Sequence, residues 1–229
     1  MTSDTFVIVT VHNEAERIGA TLAALAVAFP GAPVWVADDG SSDAGAEIAR
    51  LAGARVVRSE RVIGKGGAAT LAAREALGSE DAGLDGETVC ILCDGDLGES
   101  AGALAPLAGA VRSGQADIAV AVFARRIGGG VGLAVAFARW AILRRCGLRT
   151  LAPISGQRAL TARTLTDVLP FAHGFGMEVG MTIDAVRAGH RVAEIELDLS
   201  HRATGRTPAG FAHRARQLVD FVRVYAARA

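Results

Sequence analysis

Two carboxylates stand two positions apart in Asp94-Gly95-Asp96, one residue beyond the largely apolar run Thr88–Leu92. The run predicts a buried strand, which places both acids at its carboxyl end. Carboxylate oxygens suit hard divalent cations such as Mg²⁺ and Mn²⁺, which also bind phosphate oxygens. Asp-Gly-Asp is also ordinary turn chemistry. Because the two acids lie at a strand end, we predict that they bind a metal ion and that this ion neutralises the charge of a diphosphate.

Lys65 is the only lysine in the chain, and it lies in the glycine-rich segment Gly64–Gly67. The segment is not a Walker loop, because G-x-x-x-x-G-K-[ST] is absent. An ammonium group at the start of a helix can still meet a diphosphate. We interpret Lys65 as a residue that contacts a diphosphate. The alternative is that one lysine occurs by chance in a chain that otherwise uses arginine.

A second acidic cluster, Asp38-Asp39-Gly40-Ser41, follows a short strand. Part of it is explained by a tight turn, with Ser42 or Asp43 capping the next helix. One aspartate is then spare. A carboxylate at a strand end can accept a hydrogen bond from the ring N–H of uracil or guanine, so Asp39 is a candidate for base recognition.

Strands and helices alternate along the first half of the chain. The predicted strands there are Phe6–Val11, Val34–Ala37, Ala54–Arg58, Thr88–Leu92 and Asp117–Phe123. This alternation predicts right-handed crossovers and a mainly parallel sheet covered on both faces. Ligands of such sheets bind beyond the carboxyl ends of the strands. The polar clusters fall at those ends, so they are expected to converge on one edge.

Composition narrows the class of protein. The 229 residues suit one α/β domain, and 51% hydrophobic with 21% charged residues allow a substantial core. A net charge of zero gives no basic field for nucleic acid. The N-terminus has no basic region before its first strand, and the apolar stretch Gly128–Leu143 is interrupted by Arg139. Neither a signal peptide nor a spanning helix is predicted, and a cytoplasmic protein is expected.

The second half, beyond about Ala124, is rich in arginine in its predicted loops. These residues are Arg125, Arg126, Arg158, Arg202 and Arg206. Arginine suits phosphate through paired, charge-assisted hydrogen bonds, so an acceptor with a phosphate or another anionic group is predicted. The predicted helix Leu133–Cys146 also carries arginines; contact with acidic lipid is one interpretation, and an ordinary amphipathic helix is the favoured one.

Two further side chains have both a structural and a functional interpretation. Glu178, near the start of a predicted helix, can simply favour the helix dipole or can belong to the site. His201 lies in a polar loop, where histidine is most often solvated. Arg202 and Arg206 beside it make a phosphate-binding setting and favour a functional role.

The motifs V-T-V-H-N-E, D-D-G-S-S-D, G-K-G-G-A and D-x-D, in this order and spacing, resemble the family 2 glycosyltransferases of GT-A fold. In the second half, P-I-S-G-Q-R-A-L is similar to the polyprenyl-phosphate sugar transferases typified by dolichyl-phosphate mannose synthase. H-G-F-G-M-E-V-G-M-T-I-D, followed by S-H-R-A-T-G-R, is similar to glucosyl-3-phosphoglycerate synthase.

The resemblance implies roles for individual residues. The nucleoside would be held by Val11, Glu14 and Asp39, and the diphosphate by Lys65. Asp96 would be the main metal carboxylate, with Asp94 assisting it and also contacting the nucleotide sugar. His201 would be a further metal ligand, and Glu178 would face the sugar or the acceptor as a catalytic group.

The expectation is therefore an α/β protein of GT-A fold, with residues 1–124 binding the nucleotide sugar and residues 125–229 the acceptor. The donor would be a UDP- or GDP-sugar, the metal Mg²⁺ or Mn²⁺, and the acceptor a polyprenyl phosphate or a phosphoglycerate-like acid. A sugar-1-phosphate nucleotidyltransferase is a rival, although it would need a glycine-rich basic loop where His12-Asn13-Glu14 stands. A non-catalytic nucleotide-sugar-binding protein is the second rival. Homodimer formation, peripheral membrane contact and the stereochemical outcome stay open.

Overall fold

The computed structural model describes residues 4–124, 132–199 and 208–229. Within these ranges a seven-stranded sheet has the order β3-β2-β1-β4-β6-β5-β7. Its strands are β1 (Thr5–Val11), β2 (Val34–Asp38), β3 (Arg55–Arg58), β4 (Val89–Asp94), β5 (Ile118–Phe123), β6 (Arg158–Thr161) and β7 (Val192–Leu197). Only β6 runs antiparallel to its neighbours among these strands. The predicted mainly parallel α/β sheet is confirmed.

Helices cover both faces of the sheet. They are α1 (Ile18–Ala28), α2 (Gly45–Leu51), α3 (Lys65–Leu77), α4 (Ala105–Arg112), α5 (Leu133–Cys146), α6 (Ala162–Asp167), α7 (Met177–Arg187) and α8 (Pro208–Ala227). Short 3₁₀ turns occupy Glu80–Ala82, Gly98–Leu104 and Gly174–Gly176. None of the helices in the described ranges is long and apolar enough to cross a bilayer.

Strand β1 shows how the sequence builds two cores at once. Successive strand side chains point to opposite faces. Val7 and Val9 accordingly pack with α1 and α4, whereas Phe6 and Ile8 pack with α3, α6 and α7. Because helices cover both faces of the sheet at this strand, apolar residues are needed at successive positions and not only at alternate ones.

A third apolar cluster lies outside this sandwich and holds α5 and α8 against α7. Its buried members are Ala138, Ile142, Val179, Ile183, Phe221 and Val224. Helices α5 and α8 therefore form an outer layer over α7 and the segment that precedes it.

Local structure departs from the sequence pattern at two places. The helical pattern of residues 100–113 is divided, because a 3₁₀ turn ends at Leu104 and α4 begins at Ala105. Pro106 falls in the first turn of α4, where its missing N–H is tolerated, and it would break a helix running through. Arg158 was expected in a loop; it is the first residue of β6, between β4 and β5.

The start of α3 is pressed against the chain before α7. An added Cβ on Gly66 would overlap the carbonyl oxygen of Ala172, and one on Gly64 would come within 3.0 Å of the Gly174 backbone. Gly64 also has a φ of 87°, which side chains rarely adopt. Glycine at these positions therefore allows a close backbone approach between the two halves of the chain.

We predict that Gly66→Ala lowers the free energy of unfolding by roughly 2 kcal/mol, because a backbone carbonyl cannot yield as a flexible side chain would. Thermal unfolding would show a fall of about 4–8 °C. Gly109→Ala is the matched control: Gly109 is an exposed helical position with nothing within 4 Å of an added Cβ. That control should be neutral or slightly stabilising. Equal melting temperatures for Gly66→Ala and the wild type would contradict the packing described.

Candidate active site

The candidate site lies where β1, β2 and β4 end. Val11 is in register with Asp38, and Thr10 with Asp94, so three neighbouring parallel strands bring their carboxyl ends together. The sequence predicted this convergence, because polar clusters follow all three strands. The edge of the sheet holds Asp94 and Asp96 in the middle, with Asp38 and Asp39 on one side.

Lys65 joins residues that lie far apart in the sequence. Its Nζ lies 2.6 Å from Oδ1 of Asp94 and 2.7 Å from Oε1 of Glu178. Lys65 begins α3, Asp94 ends β4, and Glu178 is in the first turn of α7. The structure therefore brings Glu178 to the strand ends. The sequence alone leaves the role of Glu178 undecided, because a glutamate in a first helical turn also has a purely local explanation.

The three charges stabilise one another. Burial lowers the pKa of Lys65, but the carboxylates of Asp94 and Glu178 outweigh that effect and raise it. Burial raises the pKa of Asp94, and Lys65, Thr10 and Gln157 together bring it below its usual value. The ammonium of Lys65 and the two carboxylates compensate one another's charge in a partly buried place. Removal of any one of them would leave a charge without its partner.

Gly156 and Gln157 close this cluster from the second half of the chain. An added Cβ on Gly156 would lie 2.5 Å from Nζ of Lys65 and 2.8 Å from Oδ2 of Asp94. Gln157 Nε2 donates to Oδ2 of Asp94 over 2.8 Å, and Thr10 donates to its Oδ1 over 3.0 Å. Gly156 and Gln157 were not predicted as site residues. Both lie in the motif P-I-S-G-Q, but only the fold shows that this loop faces Lys65.

Arg158, predicted to bind the acceptor, is buried behind the site. Its Nε donates to the carbonyl of Ser155 and its Nη1 to Oγ1 of Thr182, which in turn donates to the carbonyl of Glu178. Burial lowers its pKa to about 10, against the opposing charges of Glu178 and Glu194. Arg158 thus ties the Ser155 loop to α7, and its 1% exposure gives no support to direct contact with an acceptor.

A network of polar contacts shapes the segment after β1. Asn13 has a φ of 58°, a left-handed conformation that asparagine tolerates better than most residues. Its Oδ1 accepts from the N–H of Ser42, and its own N–H donates to Oγ of Ser41. The carbonyl of Asp39 lies 2.8 Å from Nδ1 of His12. The segment containing Glu14 is thereby fixed beside the β2–α2 turn.

The two aspartates after β2 have separate tasks. Asp38 is fully buried, accepts from the N–H of Ser41 and pairs with Arg58. Asp39 accepts from the backbone N–H groups of Ile63 and Gly64, at 2.7 and 3.0 Å. Asp39 therefore holds the loop that leads into Lys65. Its predicted contact with a nucleobase stays a prediction, and a base would have to share this carboxylate with the loop.

The N-cap of α2 is Ala44, so the prediction of Ser42 or Asp43 as the cap is wrong, although Asp43 just before it contacts the start of the helix. Oδ1 of Asp43 accepts from the N–H of Gly45, and Oδ2 accepts from the N–H of Ala15. One side chain thus satisfies donors on two segments that border the site.

The residues after β4 partly fit a divalent cation. Gly95 packs its backbone on β1, where an added Cβ would lie 2.5 Å from Cγ1 of Val11, so Asp94 and Asp96 are separated by the smallest residue. Both oxygens of Asp94 already accept hydrogen bonds, and Lys65 would repel a cation there. Asp96 is half-buried at the same edge. Its role as the main metal carboxylate stays a prediction.

No cluster of three or more His, Cys, Asp or Glu side chains able to hold a metal occurs in residues 4–124, 132–199 or 208–229. His201, the third predicted ligand, lies outside the described residues. The same holds for four of the predicted acceptor residues, Arg125, Arg126, Arg202 and Arg206. Their roles stay predictions.

A mainly parallel sheet with a charged, glycine-lined site at its carboxyl edge is typical of α/β proteins that bind nucleotides. Residues 6–172 match the model of a family described as glycosyl transferase family 2. The match spans most of the chain, which belongs to this family of glycosyltransferases. The predicted class of enzyme is confirmed. None of the curated proteins compared with the chain matches it.

Solved structures agree on the fold. Glucosyl-3-phosphoglycerate synthase from Mycobacterium tuberculosis, in complex with Mn²⁺, UDP-glucose and glycerol 3-phosphate, is similar with a TM-score of 0.74 and 24% identity, over 99% of this chain and 80% of that one. The same enzyme with Mn²⁺, UDP and glucosyl-3-phosphoglycerate gives 0.72 and 23%, over 99% and 80%. A mycobacterial protein gives 0.75 and 26%, over 99% and 74%. The predicted GT-A fold is confirmed.

We predict that Gly156→Ala lowers transfer activity by about tenfold or more, because its methyl group must displace Lys65 or Asp94 from their contact. The melting temperature should fall as well, because a displaced Lys65 leaves the partly buried carboxylates of Asp94 and Glu178 less well compensated. Sugar-nucleotide turnover and thermal unfolding measure the two effects. Gly109→Ala again serves as the control. Full activity in Gly156→Ala would show that the contact between Lys65 and Asp94 is dispensable.

Proposed function

We propose that this glycosyltransferase moves a sugar from a nucleoside-diphosphate donor to an anionic acceptor, with Mg²⁺ or Mn²⁺ as its cofactor. The observation that carries the proposal is the Lys65 ammonium, which stands at the start of α3 between Asp94 and Glu178. A cation at a helix N-terminus, beside the carboxyl ends of parallel strands, is a suitable place for a diphosphate.

The donor would lie along the edge of the sheet. The nucleoside would occupy the side of Val11, Glu14 and Asp39, and the diphosphate would lie near Lys65. Asp94 would keep Lys65 in place and contact the sugar, since Gln157 and Thr10 fix its orientation. Asp96, with His201 as a further ligand, would hold the metal. A bound divalent cation supplies charge neutralisation for the departing diphosphate.

In the reaction, an acceptor oxygen forms a bond to the anomeric carbon while the bond from that carbon to the diphosphate oxygen breaks. A phosphate acceptor is already ionised and needs no strong general base. Glu178 would then orient the sugar or acceptor from the first turn of α7. With a neutral acceptor, Glu178 would be the leading candidate for the base.

Two features support a phosphate-bearing acceptor. The structurally similar synthase from Mycobacterium tuberculosis is solved with glycerol 3-phosphate and with phosphoglyceric acid. This chain also places Arg125, Arg126, Arg202 and Arg206 in its second half. Phosphoglycerate-like acids and polyprenyl phosphates share this chemistry and remain the two forms of the proposal.

The rivals have less support. A nucleotidyltransferase would need a basic, glycine-rich loop after β1, where this chain has the braced His12-Asn13-Glu14 segment. A non-catalytic binding protein is disfavoured because the chain belongs to a family of glycosyltransferases. A cytoplasmic location and a homodimer stay predictions.

The donor and metal are tested with Asp96→Asn. We expect wild-type protein to be stabilised by UDP- or GDP-sugars more strongly with Mn²⁺ than without it, because a ligand that binds the folded state raises the melting temperature. Asp96→Asn should lose the Mn²⁺-dependent part and nearly all transfer. Glu99→Gln, an exposed acid in the next turn, is the matched control. Full turnover of the wild type in excess chelator would refute metal dependence.

The acceptor is tested by offering phosphorylated and neutral compounds side by side. Transfer to 3-phosphoglycerate or a short polyprenyl phosphate should exceed transfer to glycerol or the free alcohol by at least about a hundredfold, since charge-assisted arginine–phosphate hydrogen bonds are strong. Arg202→Glu with Arg206→Glu should abolish that preference. Activity restricted to neutral acceptors, unchanged in this double variant, would disprove the anionic acceptor and point to Glu178 as base.

A further inference from the structure

The outer face of the α5–α8 layer exposes apolar side chains that nothing in the described chain covers. Their inner faces pack on α7 through the cluster that includes Ala138, Ile142 and Val224. On the outside of α5, Leu133, Trp140 and Leu143 are 68%, 48% and 40% exposed. Spacings of seven and three residues place them in one stripe along the helix.

Helix α8 continues the same surface. Val219 and Val222 are exposed by 48% and 47% and lie three residues apart. The rings of Trp140 and Tyr225 meet at 4.8 Å between centroids, which brings the stripes of the two helices together. We call this surface the outer face: Leu133, Trp140, Leu143, Val219 and Val222, with the arginines around them.

The charges around the outer face are almost all positive. Exposed arginines flank the stripes: Arg139 and Arg144 on α5, and Arg216 and Arg223 on α8. Arg145 lies over the Tyr225 ring at 3.7 Å. The sequences of the two helices contain a single acid, Asp220, which accepts from the N–H of Phe175 and pairs with Arg223.

We propose that the outer face binds the surface of an anionic membrane, with α5 and α8 lying flat on it. Exposed aliphatic side chains, a tryptophan and a ring of arginines are the features of an interfacial helix, which enters the headgroup region without crossing the bilayer. Arginine and tryptophan keep a polar end in water while their apolar parts are buried. Acidic headgroups complement the arginines.

A second copy of the chain fits the outer face less well. Self-association through a two-fold axis would place the same arginine-rich surface on both sides of the contact. Like charges would then face one another, with Asp220 already engaged. An acidic lipid surface removes this repulsion and is therefore the occupant that the charges favour.

The outer face also adjoins the loop that closes the candidate site. Arg139 Nη2 donates to the carbonyl of Leu151 over 2.5 Å, and Leu151 is itself 67% exposed. Glu194 on β7 accepts from the N–H groups of Leu151 and Ala152. A few residues later the same loop places Gly156 against Lys65. Membrane binding would thus place the site beside the lipid surface.

Vesicle flotation tests the proposal without any need for turnover, so it stands or falls separately from the proposed reaction. Wild-type protein should bind vesicles of equimolar phosphatidylcholine and phosphatidylglycerol, bind pure phosphatidylcholine weakly, and dissociate as salt rises. Trp35 is fully buried, so a blue shift of tryptophan emission on binding would report Trp140.

Substitutions on the outer face sharpen the test. Leu143→Glu and Arg144→Glu should each lower the partition coefficient by about tenfold or more. Leu51→Glu and Arg50→Glu, at exposed positions of α2, should bind as the wild type does. No binding of the wild type to the anionic vesicles at low salt would overturn the proposal. So would Leu143→Glu binding unchanged, or a dimer that this substitution dissociates in the absence of vesicle binding.

Discussion

The contact between the Lys65 ammonium and the carboxylates of Asp94 and Glu178 is the interaction on which the rest of the site depends. It joins the start of α3, the end of β4 and the first turn of α7. Without the ammonium, two partly buried carboxylates would face each other uncompensated, and such a charge destabilises a protein strongly. The contact therefore serves the fold and the chemistry together: it holds three elements in register and keeps a cation at the place proposed for the diphosphate.

The surrounding structure is built for close approach. Gly66 lets α3 contact the backbone before α7, and Gly156 lets the loop before β6 reach the Lys65–Asp94 pair. Asp39 and Glu194 fix two loops by accepting backbone hydrogen bonds, which a flexible surface loop would otherwise donate to water. Arg158 connects one of these loops to α7 from within. Preorganised side chains of this kind keep a charged ligand in one orientation.

Membership of glycosyl transferase family 2 gives this geometry a chemical meaning. The matched segment ends at residue 172, before Glu178, α7 and α8. The part beyond it supplies a carboxylate to the Lys65 cluster, and it supplies α8, which forms the arginine-rich outer face together with α5 of the matched segment. If that face binds a membrane and the acceptor binds as proposed, the second half of the chain decides both the acceptor and the location.

The amino-acid sequence by itself determined the class of fold and the positions of the acids and the lysine. Unbroken apolar runs and helical periodicity predict buried parallel strands with helices between them, and polar residues directly after such strands must meet at one edge. Only the tertiary structure decided the partners. Glu178, Gly156 and Gln157 are 113, 91 and 92 residues from Lys65, and no local pattern specifies which loop crosses which strand end. Burial of Arg158 likewise depends on the antiparallel pairing of β6 with β4 and β5. This pairing joins distant parts of the sequence, and local hydrophobic periodicity does not predict it.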